Sequence, residues 1–154
     1  MTDAASQEAS FKNLLDHFKQ QKSILAARPS LWPVEGWVTS EFGYRASPFT
    51  GGREFHRGID VATRMGKEIQ APADGIVSEV SRQPEEGLMI RINHGYGVAT
   101  IYAHLSKVAA NEGSVVRRGQ VIAYVGNSGR STGPHLHYAV LVNDVHVNPR
   151  RYLK

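Results

Sequence analysis

A chain of 154 residues, 41% hydrophobic and 21% charged, is long enough to bury its own core. It has no cysteine, which excludes disulfide staples, thiolate metal sites and cysteine nucleophiles, and no apolar run approaches the ~20 residues of a membrane-crossing helix. Lys and Arg total 18 against 14 Asp and Glu, giving +4, but the charges are scattered apart from Arg117-Arg118 and Arg150-Arg151. They read as a solvated surface and not as a nucleic-acid-binding stripe.

The first residues, Met1 to Ser6, lack the basic and apolar regions of a signal peptide, which leaves a cytoplasmic protein or a piece of a longer exported one. From about Glu8 to Ala27, Phe11, Leu14, Leu15, Phe18 and Leu25 recur at three- and four-residue spacings, the pattern of an amphipathic helix with one apolar stripe. Pro29 ends it, and Pro29 to Pro33 reads as a short extended linker. The stripe needs cover: the rest of the chain, a second copy through helix-mediated self-association, or a partner segment of a longer coiled coil. The chain therefore divides into a helix and linker over residues 1–31 and a domain over residues 32–154.

Beyond Pro33 short β-rich runs alternate with Gly, Asn and Asp turns. They are Gly75–Ser81, Leu88–Asn93, Val98–His104, Gln120–Val125 and His135–Val142. Asn143-Asp144 between Val142 and Val145 is a two-residue hairpin signal. With no second convincing helix, the fold is expected to be all-β, a small antiparallel sandwich or barrel.

Seven histidines are present, and spacing separates them. His135 and His137, two apart in a strand-like run, leave the same face of a sheet. His56 and Asp60 are four apart, with Gly58 between them to let the backbone bend. Two histidines and a carboxylate suit catalytic zinc, with the fourth position left to water. Spacing alone leaves two readings open, one shared ion or two unrelated surface pairs. His17, His94 and His146 have no such support, and His94 is expected to bond to backbone in a turn.

The segments Phe42-Gly43-Tyr44-Arg45, His56-Arg57-Gly58-Ile59-Asp60, Ala71-Pro72-Ala73-Asp74-Gly75, Tyr102-Ala103-His104-Leu105 and Ser131-Thr132-Gly133-Pro134-His135-Leu136-His137 resemble, in order, the lysostaphin-type (LytM-like) zinc endopeptidases. Val147-Asn148-Pro149 with Tyr152-Leu153 resembles the same family's C-terminus. The resemblance implies a barrel-sandwich hybrid (duplicated hybrid motif) and hydrolysis of peptide cross-links in bacterial peptidoglycan. It implies one zinc held by His56, Asp60 and His137, with His104 and His135 as catalytic histidines beside it. Tyr138 is expected in the core. Ala139, where the family often has an acidic residue, is expected on the strand's outer face.

Two rival readings are weaker. A non-catalytic wall-binding relative that activates a separate amidase would be expected to lack ligands, and here all five positions are filled. Ala71–Val77 and Val116–Ile122 resemble the half-repeats of biotinyl and lipoyl carriers, but no lysine stands at the candidate hairpin tips. A peptidoglycan substrate would place the protein in the periplasm or extracellular envelope, with a leader or anchor supplied by a longer chain. A helix packed near the zinc cleft would then restrict substrate entry.

Overall fold

The computed structural model describes the backbone of residues 4–154 and the side chains from residue 10 onward. α1 spans Ala4–Ala26, a run rich in Ala, Leu, Lys and Gln and free of Gly and Pro. It stops just before Arg28, whose conformation Pro29 biases away from helix. Phe11, Leu14, Phe18 and Leu25 are all more than half exposed. Packing of this stripe on the β structure is therefore not what the described residues adopt.

The reason lies in how α1 is tethered. Its end is held where the Asp74 N–H donates to the Ala26 carbonyl at 3.2 Å and Ala27 is buried. From there the linker runs along the β structure, with the Leu31 N–H on the Pro72 carbonyl and the Trp32 indole N–H on the Lys154 carbonyl.

Twelve strands follow, with every pairing antiparallel. They are β1 (Trp37–Ser40), β2 (Gly43–Ala46), β3 (Arg53–His56), β4 (Ile59–Ala62), β5 (Glu68–Gln70), β6 (Gly75–Gln83), β7 (Gly87–Gly95), β8 (Val98–Val108), β9 (Val115–Val116), β10 (Val121–Val125), β11 (His135–Val142) and β12 (Val145–Val147). One sheet runs β1-β4-β11-β8-β7-β6-β9, with β12 beside β11 and β10 bridging β8 and β5; β2 and β3 form a separate hairpin. Asn143 and Asp144 have φ of 51° and 65°, the left-handed pair that a tight β11–β12 hairpin requires.

The mostly β, antiparallel architecture expected from the sequence is the one observed. Alternation sorts its faces. Ile59 and Val61 of β4, Ile90 and Ile92 of β7, and Leu136 and Tyr138 of β11 are wholly buried in one core. Burying each aliphatic side chain contributes about 1.5–3 kcal/mol. The residues between them, Asp60, His135 and His137, take the opposite face, and there the site is built.

Tyr138 lies in the core as expected. Ala139 falls by alternation on the face that His137 takes, away from the core, but at 1% exposed it is covered there and does not meet solvent. Gly58, between β3 and β4, is needed for close approach and not only for bending. A Cβ there would collide with the Tyr138 carbonyl and stand 3.0 Å from Cε1 of His137.

A convergent histidine–aspartate centre

Register brings the site together. In antiparallel sheets, directly paired residues point to the same side. Asp60 of β4 is paired with His137 of β11 on one flank and Ser40 of β1 on the other, while His137 is also paired with Ala103 of β8. His135 lies one pleat along on the same face, paired with Ala62. His56 arrives from the end of β3, where the chain turns at Arg57-Gly58 into β4. The cleft over this face has a volume of about 700 Å³.

One nitrogen of His56, one of His137 and one oxygen of Asp60 form a tight triangle. His56 Nε2 is 3.2 Å from His137 Nδ1 and 3.2 Å from Asp60 Oδ1, and His137 Nδ1 is 2.8 Å from Asp60 Oδ1. Four-coordinate zinc with bonds of ~2.0–2.1 Å separates its ligand atoms by about 3.3 Å, so the triangle fits one face of such a tetrahedron. His56 Nδ1 is 2.9 Å from the Glu41 carbonyl, which can only accept, so the proton sits on Nδ1. Neutral His56 therefore turns the lone pair of Nε2 toward the acceptor Oδ1. Two acceptors facing each other at 3.2 Å call for a cation between them, and the donor set fits a metal ion.

Electrostatics support the same reading. Burial alone would raise the Asp60 pKa. The imidazoles of His137 and His56 beside it outweigh that and hold the carboxyl well below the usual carboxylate range, in the anionic form that binds a cation. Asp60 is an anion at any working pH. Its second oxygen, Oδ2, accepts from Arg45 Nη1 at 3.1 Å.

His104 reaches the cleft by a different route. Regular alternation along β8 would put it on the core face with Tyr102, two residues earlier. Instead three steps of β8, from Tyr102 to Leu105, oppose two steps of β7, from Ile90 to Leu88, which is a β-bulge. His104 adopts φ 62°, a left-handed conformation costing about 1–2 kcal/mol for a residue with a Cβ. Its N–H donates to the Glu86 carbonyl at 2.7 Å, and its Nδ1–H donates to the Ser128 carbonyl at 2.8 Å, which leaves Nε2 free. Burial pushes its pKa down, and the charges of His135 and His137 push the same way.

His135 is held alike, with Nδ1 2.8 Å from the Gly133 carbonyl and 3.2 Å from Ser131 Oγ. The His104 and His135 rings stand 4.8 Å apart, and His135 Nε2 lies 3.9 Å from Asp60 Oδ1.

All five residues singled out from the sequence thus line one cleft. His146 bonds to the Arg57 carbonyl outside it, and His94 is buried elsewhere. Sequence reasoning missed the surrounding shell of Ser40, Glu41, Arg45, Ser128 and Gly133. Arg45 and Gly133 carried a signal, each as a member of a recognised segment with no role attached.

A two-histidine, one-carboxylate centre in an open cleft of an antiparallel β fold fits a metal-dependent hydrolase. Residues 54–149 match peptidase family M23, and the chain belongs to that family. The chain is 46% identical over 112 residues to the DD-carboxypeptidase/endopeptidase Mpg of Neisseria meningitidis, covering 73% of this chain and 26% of that protein. It therefore spans about a quarter of that curated relative. A zinc-containing peptidase from Vibrio cholerae superposes with a TM-score of 0.72 at 39% identity, over 77% of this chain and 38% of that one. The catalytic domain of lysostaphin from Staphylococcus simulans gives a TM-score of 0.67 at 29% identity, over 73% and 87% of the two chains. Zinc is the metal for which this donor set is built.

Proposed function

We propose that the chain is a zinc endopeptidase that hydrolyses peptide cross-links of peptidoglycan in the bacterial cell envelope, with His56, Asp60 and His137 as ligands and His104 and His135 as catalytic groups. The observation that carries the reading is the convergence of the three ligand atoms within 4.8 Å of one another, flanked by two imidazoles whose Nε2 atoms are free. Relatives named peptidoglycan DD-endopeptidases ShyC and ShyB in Vibrio cholerae, 41% and 42% identical, support the substrate class. On this reading residues 32–154 are the peptidase unit and residues 1–31 a helical extension. The span of the family match and the exposure of α1 support that division.

When bound, zinc supplies a water of lowered pKa and polarises the scissile carbonyl. The chain's own groups do the rest. Backbone carbonyls of Ser128 and Gly133 fix His104 and His135 as Nδ1–H tautomers with Nε2 toward the cleft. A neutral Nε2 accepts a proton from the attacking water. Once protonated, an Nε2–H donates to charge growing on the carbonyl oxygen and then to the departing amine. The two imidazoles, in ring contact, divide these duties.

The test is digestion of purified peptidoglycan. The zinc-loaded chain should convert cross-linked muropeptides into monomers with newly freed amines, leaving the stem peptides attached to uncut glycan strands. A chelator should abolish the reaction and added zinc restore it. Release of free stem peptides from the glycan, or undiminished digestion in chelator, would refute the reading.

A further inference from the structure

We propose that Arg45 is a positioning residue for the metal centre, fixing Asp60 so that only Oδ1 faces the ion. The inference rests on the zinc reading above. Arg45 is contributed by the β2–β3 hairpin, outside the main sheet, and reaches back over the cleft. Its Nε donates to Glu54 Oε1 at 3.1 Å, its cross-strand partner in that hairpin. Its Nη1 donates to Asp60 Oδ2 at 3.1 Å and to Ser40 Oγ. Ser40 Oγ in turn lies 3.4 Å from His56 Nδ1. One planar fork thus ties together a hairpin carboxylate, the outer oxygen of one proposed ligand and a hydroxyl beside another.

Geometry and charge make opposite demands on this residue. As a bare positive charge Arg45 repels a divalent cation, so its removal would tighten metal binding. As an anchor it stops the carboxylate from rotating or swinging to chelate through both oxygens, so its removal would loosen binding. The Arg45 side chain is only 27% exposed and Asp60 13%, and Glu54, paired with Arg45 at 3.1 Å, offsets its positive charge. Anchoring therefore outweighs repulsion. A lysine keeps the charge but has no rigid fork with which to hold Glu54, Ser40 and Asp60 together.

The experiment measures zinc affinity of the full chain by competition with a chromophoric chelator, alongside melting of the chelator-stripped protein. Arg45→Ala should bind zinc about 10–100-fold more weakly, the usual cost of losing an outer-shell partner. Arg45→Lys should stay impaired by at least ~10-fold, which a charge effect alone would not produce. A merely structural role would lower the melting temperature of stripped protein and leave the affinity of the folded protein unchanged. Unchanged or tighter zinc binding in a folded Arg45→Ala chain overturns the proposal while the zinc reading stands. If the unmodified chain binds no zinc, both fall. Should Arg45→Ala not fold, Arg45→Lys and Glu54→Gln decide: native affinity in both overturns it, and a loss in Arg45→Lys upholds it.

Discussion

His94 has both ring nitrogens occupied inside the protein: Nδ1–H donates to the Asp74 carbonyl at 2.7 Å, and Nε2 is 2.7 Å from Thr100 Oγ1, which continues to the Tyr102 hydroxyl at 2.7 Å. His56, His104 and His135 also place Nδ1 on a backbone carbonyl, but each turns Nε2 into the open cleft. The side chain is the same and the first hydrogen bond is the same; the second nitrogen differs. A closed chain of donors and acceptors holds the fold together, whereas an imidazole with one committed nitrogen and one free lone pair is available for a metal or a proton. Burial does not separate the two kinds, since His56, His94 and His104 are all under 10% exposed. Partner counting does.

The largest effects should come from breaking the open set. His137→Ala removes one of the three proposed ligand atoms and should lose both bound zinc and peptidase activity, because the remaining two donors cannot fix the ion. His104→Ala should keep about one zinc per chain while losing roughly 10²–10⁴ in kcat/KM, the usual share of a proton-transfer group. Elemental analysis and cross-link-cleavage kinetics on the same preparations check both. Loss of zinc in His104→Ala would move His104 into the ligand set.

His94→Gln should do the reverse, keeping zinc and costing about 1–3 kcal/mol of stability by breaking a buried network. Burial pushes the His94 pKa down, against the opposing hydrogen bond to Asp74. The unfolded chain takes up a proton near the ordinary histidine value of about 6.5, and the folded chain only at a lower pH. Stability from this group is therefore complete above pH ~6.5 and is lost as pH falls through the folded value. Melting of stripped wild type at pH 7.5 and 5.5, set against the same pair for His94→Gln, should show a smaller acid drop in the variant. Equal drops would assign the acid sensitivity to other groups.

The same contrast explains how much was legible in the sequence. The five long β runs, the Asn143-Asp144 hairpin and the shared face of His135 and His137 follow from period-2 alternation and turn chemistry, both local properties. The short strands β1 to β5 and β9 carry too few residues for a pattern to show. β1 pairs with β4, β4 with β11, β5 with β10 and β9 with β6, and these pairings depend on contacts distant in the chain. His104 is the instructive case. Alternation alone sends it to the core beside Tyr102, and only resemblance to a family put it near the metal. The bulge that turns it outward leaves no local mark. The role of Arg45 was hidden for a similar reason: its partners Asp60 and Ser40 meet it only once the β2–β3 hairpin folds over the sheet.

The smallest expected effect concerns α1, where the sequence suggested a helix restricting entry to the cleft. None of its described residues lines the cleft, and its anchor at Asp74 adjoins the start of β6. β6 then runs nine residues, about 30 Å at ~3.3 Å each, before the chain reaches Glu85 at the cleft wall. The root of the helix and the metal centre therefore lie at opposite ends of the longest strands. Removing residues 1–24 leaves the Asp74–Ala26 hydrogen bond, buried Ala27 and the Trp32 contacts in place. It takes away a stripe that is already solvent-exposed. Zinc content should stay at about one per chain and the rate of peptidoglycan digestion should stay within about twofold, because neither the ligand triangle nor the carbonyls that orient His104 and His135 are touched. The melting temperature should also hold, since an exposed helix contributes little tertiary burial. Faster digestion by several-fold with zinc unchanged would show that the helix visits the cleft in solution and would restore the occlusion reading. A fall in digestion of insoluble peptidoglycan, with cleavage of soluble fragments unchanged, would instead give the exposed stripe a part in reaching the polymer.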